Sequence, residues 1–225
     1  MFKLKSVALA ALALLAFTSC ENDEPNAPVV PKKETKVMKE INAKEHSNWV
    51  YINLETGQTE SHRDFTAWFY IDPKTKERVV IPAQGSLSDV KIAWHIALRR
   101  NLVKTNEGSV ATTGGTDFDK AQLPANPTFV ADAVESKNPM IIDFSAMMSG
   151  KATFSTEDKR NPLLSNWVKR SGAMPNFVYT PTNEVFVLRT KEGKLFKLQF
   201  TDFLNAKGNE KGIVTFKVMP LGMTK

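Results

Sequence analysis

Residues 88–109, SDVKIAWHIALRRNLVKTNEGS, set the pattern for the whole chain. Val90, Ile92, Trp94 and Ile96 alternate with Asp89, Lys91, Ala93 and His95, a period of two that predicts a strand over 88–97. A second strand is expected over 99–104, and Asn106-Glu107-Gly108 supplies turn chemistry after it. The same pattern recurs outward. In 46–54, HSNWVYINL, the side chains of Ser47, Trp49, Tyr51 and Asn53 share one face, and those of Asn48, Val50, Ile52 and Leu54 the other. Residues 55–58 then read as a turn. AWFYI at 67–71 reads as a strand stopped by Asp72-Pro73. Shorter strands are expected at 78–81 and 140–145, with a connector at 154–160. Strands at 177–179, 184–190, 194–201 and 212–219 follow, with Lys191-Glu192-Gly193 as a hairpin turn.

Two segments break this rhythm. Residues 108–139 hold Thr112-Thr113-Gly114-Gly115 and three prolines without a sustained pattern, which predicts a long loop of functional or mobile character. In 161–172, NPLLSNWVKRSG, Asn161 suits an N-cap, Pro162 the first helical position and Gly172 the residue past the end. Leu163, Leu164, Trp167 and Val168 recur at helical spacing, so a helix is expected there. The expected fold class is all-β, mainly antiparallel sheets with one short helix. No internal repeat and no β-α-β alternation occurs.

The 225 residues are 42% apolar and 24% charged, which suits one domain with a proper core. Net charge is +6, or +4 without Lys3 and Lys5 of the leader, and the bases are scattered among acids. That distribution argues against a nucleic-acid partner. Residues 1–19 read as a lipoprotein signal peptide: two lysines, an apolar run over 7–17 too short to span a bilayer, then Thr18-Ser19-Cys20. Cys20, the one cysteine, is the expected lipidation site, and a disulfide within the folded part is excluded. Residues 20–37, with three prolines and many charges, read as a solvated tether, leaving 38–225 as the folded, β-rich domain.

Catalytic constellations are lacking. His46, His62 and His95 are the three histidines. No Gly-x-Ser-x-Gly, phosphate loop or His-Glu-x-x-His occurs, Asp117 and Asp119 fall in a turn-rich stretch, and His95 reads as a hydrogen-bonded structural residue. An enzyme is therefore not expected. Of the eight methionines, Met147, Met148 and Met174 stand apart, because they fall at loop edges rather than at element borders.

Ile92-Ala93-Trp94-His95, Lys104-Thr105-Asn106-Glu107-Gly108 and NEVFVLRTKEGK at 183–194 resemble the HmuY family, haem-binding lipoproteins of the Bacteroidetes cell surface. The likeness extends over most of 40–218, although Ser88-Asp89-Val90-Lys91 departs from the family's Trp-Asp opening. It implies an HmuY-like fold with a haem cleft between extended loops. It also implies that the protein captures haem b (iron protoporphyrin IX), from host haemoproteins among other sources, and delivers it to a TonB-dependent outer-membrane receptor. The implied location is the outer membrane, lipid-anchored through Cys20 and exposed at the cell surface, with release in soluble form or on vesicles, and self-association, as further options. Glu21, Asp23 and Glu24 resemble the family's surface-export signal.

Family members clamp the haem iron between two side chains, two His in some and two Met in others. No His follows position 95 here, so the resemblance assigns the axial ligands to Met174 and to Met147 or Met148. If a strand runs on from Ile141, Ile142, Phe144, Ala146 and Met148 share the packed face, and Met147 faces the cleft; a bulge after Ser145 would reverse this. Phe144, Trp167, Phe177 and Tyr179 are candidate walls for the porphyrin, and Lys151 a candidate partner for its propionates. The alternative is a surface module for a non-haem ligand, binding glycans or acting as an adhesin, with Trp49, Tyr51, Trp68 and Trp94 as the available aromatics.

Overall fold

The computed structural model describes residues 34–173 and 176–223. Strands β1 (Lys36–Asn42), β2 (Asn48–Ile52), β3 (Thr59–Arg63), β4 (Trp68–Ile71), β5 (Arg78–Ile81), β6 (Ile96–Arg99), β7 (Leu102–Thr105), β8 (Ser109–Thr112) and β9 (Val130–Ala131) form the first half. The second half holds β10 (Ala133–Val134), β11 (Ile141–Asp143), β12 (Thr153–Ser155), β13 (Lys159–Arg160), β14 (Val168–Ser171), β15 (Val178–Pro181), β16 (Val185–Arg189), β17 (Lys194–Leu204) and β18 (Lys211–Met223). One sheet has the order β1-β18-β17-β16-β8-β9, a second β3-β2-β6-β7 and a third β11-β12-β4-β5; β10-β13 and β14-β15 are separate pairs. Every pairing is antiparallel.

The main core fills the space between the first two sheets. Val50 and Ile52 of β2, Ile96 and Leu98 of β6 and Val103 of β7 meet Leu188, Leu198, Phe200, Val214 and Phe216 of the larger sheet. The β2 alternation follows the expected parity, but both faces are covered. Trp49 and Tyr51 point the other way and join Trp94, Ala97 and Leu102 in a second cluster. Burial on both faces explains why β2 is apolar at nearly every position.

Residues 161–172 do not form the expected helix. The cap is real: Asn161 Oδ1 accepts the backbone N–H groups of Leu163 and Leu164, both at 3.2 Å. It starts only one 3₁₀ turn, Leu164–Asn166. The chain then straightens into β14, whose Val168–Ser171 pair residue by residue with Pro181–Val178 of β15. Gly172 still takes its left-handed conformation (φ +80°), now as the start of a hairpin turn. The strand expected over 88–97 is also shortened. Leu87–Asp89 is a 3₁₀ turn, with the Asp89 carboxylate accepting the Ser86 N–H at 2.8 Å, and ladder pairing begins only at Ile96. The expected loop over 108–139 contains β8, β9 and β10, and the connector over 154–160 contributes to β12 and β13. Pairing also begins earlier than expected, with Lys36 opposite Val218.

Candidate functional site

A cavity of about 630 Å³ opens where the β6–β7 turn, the β10–β13 pair and the β14–β15 hairpin meet. Three arginines line it: Arg100 from the β6–β7 turn, Arg160 from β13 and Arg170 from β14. Arg100 is positioned by donating to the carbonyls of Lys44 (3.2 Å) and Lys211 (2.9 Å). Its left-handed backbone (φ +56°) is what the two-residue turn demands. Arg160 reaches Glu135 at 3.3 Å and Asp158 at 3.7 Å. The apolar part of the wall includes Met140, Val168, Tyr179 and Phe203, with Tyr179 packed on Phe203 at 4.8 Å between ring centroids.

Of the two hairpins that carry the candidate methionines, β14–β15 lines this cavity through Val168, Arg170 and Tyr179, whereas the β11–β12 turn reaches it only through Phe144. Phe144, just past β11, meets His46 edge-on at 4.6 Å, and His46 lines the cavity. Burial, reinforced by the Arg100 charge, lowers the His46 pKa, so the imidazole is neutral at pH 7. Its Nδ1 is buried without a hydrogen-bond partner among the described residues. On the other hairpin, Arg170 and Tyr179 flank the turn that contains Met174; Met174 itself lies outside the described residues, as does Cys20.

The parity argument for Met147 and Met148 does not hold, because its premise fails. β11 ends at Asp143, whose carboxylate accepts the Ser145 N–H at 2.8 Å, and Met147–Ser149 form a 3₁₀ turn. Met148 is therefore not the packing residue: it is fully exposed, while Met147 is 48% exposed. Both thioethers project from the tip of the β11–β12 hairpin.

The aromatic candidates divide. Phe144 (42% exposed) and Tyr179 stand at or beside the cavity. Phe177 is half-buried under the Arg170 guanidinium, 4.6 Å from its ring centroid. Trp167 packs into the main core, stacked 4.9 Å from Phe200, with its indole N–H on the Asn101 carbonyl at 3.0 Å. Lys151 pairs with Asp72 at 3.7 Å, and it is arginines that line the cavity. Sequence reasoning passed over Arg100, Arg160, Arg170 and His46. Three of these adjoin sharp turns, which was the available signal.

Behind the cavity lies a buried ionic cluster. Arg99, 0% exposed, donates to Asp64 at 2.7 Å and to Asp158 at 3.0 Å. Asp158 in turn accepts the Met140 N–H at 2.9 Å, so the strut ends on two residues of the cavity wall, Met140 and Arg160. His95 is structural as expected: its Nδ1 accepts the Leu54 N–H at 3.0 Å. Among the described residues no group of three or more His, Cys, Asp or Glu is arranged to hold a bare metal ion. No helix among them is long and apolar enough to cross a membrane.

This architecture has close counterparts among solved structures. The apo HmuY analog TFO of Tannerella forsythia shares 37% identity, covers 86% of this chain and 96% of its own, and superposes with a TM-score of 0.71. Apo PinO from Porphyromonas gingivitis shares 28% identity over 85% of this chain and 99% of its own, with a TM-score of 0.72. An HmuY-like structure from Bacteroides vulgatus, described as a putative heme binding protein, shares 25% identity over 87% of this chain and 96% of its own, with a TM-score of 0.64. No curated protein matches. The HmuY protein family model matches residues 45–218, which takes in both hairpins, the arginine-lined cavity and the two main sheets apart from β1 and the end of β18. This chain belongs to the HmuY family.

Proposed function

We propose that this protein binds haem as cargo at the arginine-lined cavity, holding the iron between Met174 and a methionine of the β11–β12 turn, Met147 with Met148 as its alternative. One observation carries the reading: a cavity of ligand size presents three guanidinium groups, Arg170 among them on the hairpin that leads to Met174, and its His46 packs on Phe144 at the foot of the turn that carries Met147 and Met148. The residues suit haem. Iron already held by four pyrrole nitrogens needs only axial donors, which two thioethers can supply. Guanidinium groups form paired hydrogen bonds to carboxylates, and the haem edge carries two propionates. Apolar groups such as Val168 and Tyr179 suit the porphyrin face.

Thioether ligands fix the expected behaviour. Sulfur of this kind is neutral and soft, and it favours ferrous over ferric iron relative to imidazole. It also has no proton to exchange near neutrality, unlike histidine. Binding should therefore tighten on reduction and change little down to mildly acid pH. The family supports a wider role: capture of haem at the cell surface, anchorage through a lipidated Cys20, and delivery to a TonB-dependent outer-membrane receptor. The protein acts by binding and release, with no bond of the porphyrin made or broken.

The test is a haem titration of residues 21–225, with absorption spectra before and after dithionite. A saturable one-to-one Soret change and a six-coordinate ferrous spectrum are expected, both lost in Met174→Ala and in Met147→Ala or Met148→Ala. Absence of a saturable change in either redox state, or full retention in all three variants, would overturn the assignment.

A further inference from the structure

The motif Lys104-Thr105-Asn106-Glu107-Gly108 plays no part in the haem cavity. All five of its residues line a separate cavity of about 520 Å³, on the opposite face of the β2–β6–β7 sheet from the main core. Its floor is aromatic: Trp49, Tyr51 and Trp94, with Tyr51 and Trp94 edge-to-face at 5.0 Å and Phe65 stacked 6.2 Å from Tyr51. The Lys104 ammonium lies over this floor, 4.4 Å from the Trp49 centroid and 5.0 Å from that of Tyr51.

The hydrogen-bonding balance of this cavity is uneven. An ammonium carries three donors, and that of Lys104 makes one hydrogen bond, a long one of 3.3 Å to the Tyr51 hydroxyl. The inner carboxylates are already engaged. Asp64 accepts from Trp49 Nε1, Arg99, and the amide and hydroxyl of Thr66. Asp132 accepts from the amide and hydroxyl of Thr105 and from Asn161. Glu107, Glu157 and Lys159 stand at the exposed mouth, where water and salt screen them. Trp49 and Tyr51 lie buried beneath the ammonium, so what the interior offers a ligand is the apolar surface of Phe65, Leu87 and the edge of Trp94, with unused donors on one cation.

We propose that this second cavity binds a small aromatic carboxylate, its ring against Phe65, Leu87 and Trp94 and its carboxylate on Lys104. The electrostatics agree with the geometry. Burial pushes the Lys104 amine down to about 8, against the pull of Asp64, Asp132 and Glu157 and with a push from Arg99. A bound carboxylate would take up the unused ammonium donors and favour the charged form, so affinity should fall as pH rises above 8. Tyr51, whose hydroxyl meets Lys104, is raised by burial and by the Asp64 charge, so it does not reverse the trend; Glu107, Glu157 and Lys159 stand at the mouth.

The experiment is calorimetric titration with benzoate, 4-hydroxyphenylacetate and indole-3-acetate, each against its uncharged amide, at pH 7 and pH 9.5. At least one acid should bind one-to-one and about ten- to hundredfold tighter than its amide, the range expected for a charge-assisted hydrogen bond. The preference should shrink at pH 9.5 and vanish in Lys104→Met, while haem titration of that variant stays unchanged. The proposal is overturned if no acid binds, if acids and amides bind alike, or if Lys104→Met keeps the preference. Should that variant fail to fold, the acid-to-amide ratio in the unaltered protein decides alone. Loss of haem binding through the methionine variants bears on the first cavity and leaves this one untouched.

Discussion

Arg99→Met keeps the apolar stem and removes the buried guanidinium, and it should be the most destabilising single change in the β2–β6–β7 sheet. Removing one partner of a buried ion pair costs about 3–5 kcal/mol, because it leaves the other charge desolvated and unpaired. Arg99 faces two such partners, Asp64 and Asp158, which are 3% and 2% exposed. The cost is not doubled, since each carboxylate keeps other donors: Trp49 and Thr66 on Asp64, and the Met140 amide and Arg160 on Asp158. The Arg99 Nε also lacks a partner among the described residues, so the pairing only partly offsets the desolvation of the guanidinium. These corrections place the loss at about 3–4 kcal/mol at pH 7, or roughly 6–16 °C in Tm at about 2–4 °C per kcal/mol for a chain of this size.

The pH dependence has a definite sign. Burial pushes the Asp64 carboxyl up, but Arg99 and the Thr66 and Trp49 donors outweigh it and hold the group below its ordinary 3.8. In the unaltered protein that stabilisation is present above 3.8 and is lost as pH falls through the lower folded value. Without Arg99 the nearest cation is gone and the burial effect is opposed by neutral donors and the Lys104 ammonium alone, so the folded pKa rises. A carboxyl raised in the folded state costs stability while ionised and less once protonated. The gap between variant and parent should therefore narrow on acidification from pH 7 to about pH 5. Urea denaturation at both pH values measures it. A gap below about 1 kcal/mol at pH 7, the size of an exposed ion pair, or one that widens in acid, would refute the reasoning.

Further outcomes follow from the histidines and from the turn of the β14–β15 hairpin. Burial lowers the His95 pKa, so the unfolded chain takes up its proton first, near 6.5, and stability should fall as pH drops from 6.5 through the lower folded value. Denaturation between pH 7.5 and pH 5 should show a shallower slope in His95→Asn, and an unchanged slope would place the effect elsewhere, on His46 first. Gly172→Ala should impair haem binding while costing about 1–2 kcal/mol of stability, since its Cβ would sit 2.7 Å from the Asn176 carbonyl at φ +80°. Haem affinity equal to that of the parent would mean that the turn carrying Met174 does not shape the site.

Much of the fold was legible because strand alternation is a local signal that tertiary packing reinforces. HSNWVYINL showed the correct parity, and the apolar character of both faces already implied burial on both. The failures came where a local signal was correct but incomplete. Asn161 does cap and Gly172 does reverse the chain, yet cap residues report only on their own turn. Whether Val168–Ser171 continue as a helix depends on Val178–Pro181, several residues away, which offered a ladder instead. Residues 88–95 show the reverse case. Val90, Ile92 and Trp94 do alternate and all pack in the Trp49–Tyr51 cluster, but an extended chain can alternate without entering a ladder. At Met147 and Met148 the Asp143-Phe144-Ser145 turn was readable from the aspartate, and extending the strand through it produced the wrong parity. Neighbouring turns could mark the cavity arginines only one at a time, and their convergence was not legible, because Arg100, Arg160 and Arg170 come from three separate elements that only the tertiary fold brings together.

The two adjacent arginines of the β6–β7 hairpin show how one sheet organises both cavities. Arg99 is the last residue of β6, and its side chain follows strand parity to the side of Ala97 and Trp49, where it lies 4.4 Å from the Trp49 ring and meets Asp64. Asp64 belongs to the wall of the aromatic cavity, whereas Asp158, the other partner of Arg99, holds Met140 and Arg160 at the wall of the haem cavity. Arg100, one residue on, is turned out of the strand by its left-handed backbone and contributes its guanidinium directly to the haem cavity. A one-residue step thus separates a charge committed to holding the walls together from one free to meet a ligand. The difference in surroundings fits the division: Arg99 has no exposed surface and both of its carboxylates are internal, while Arg100 is held by the carbonyls of Lys44 and Lys211 and lines the cavity. A cation at a cavity wall favours an anionic ligand, and in each cavity one such residue, Arg100 or Lys104, lies on the β6–β7 hairpin.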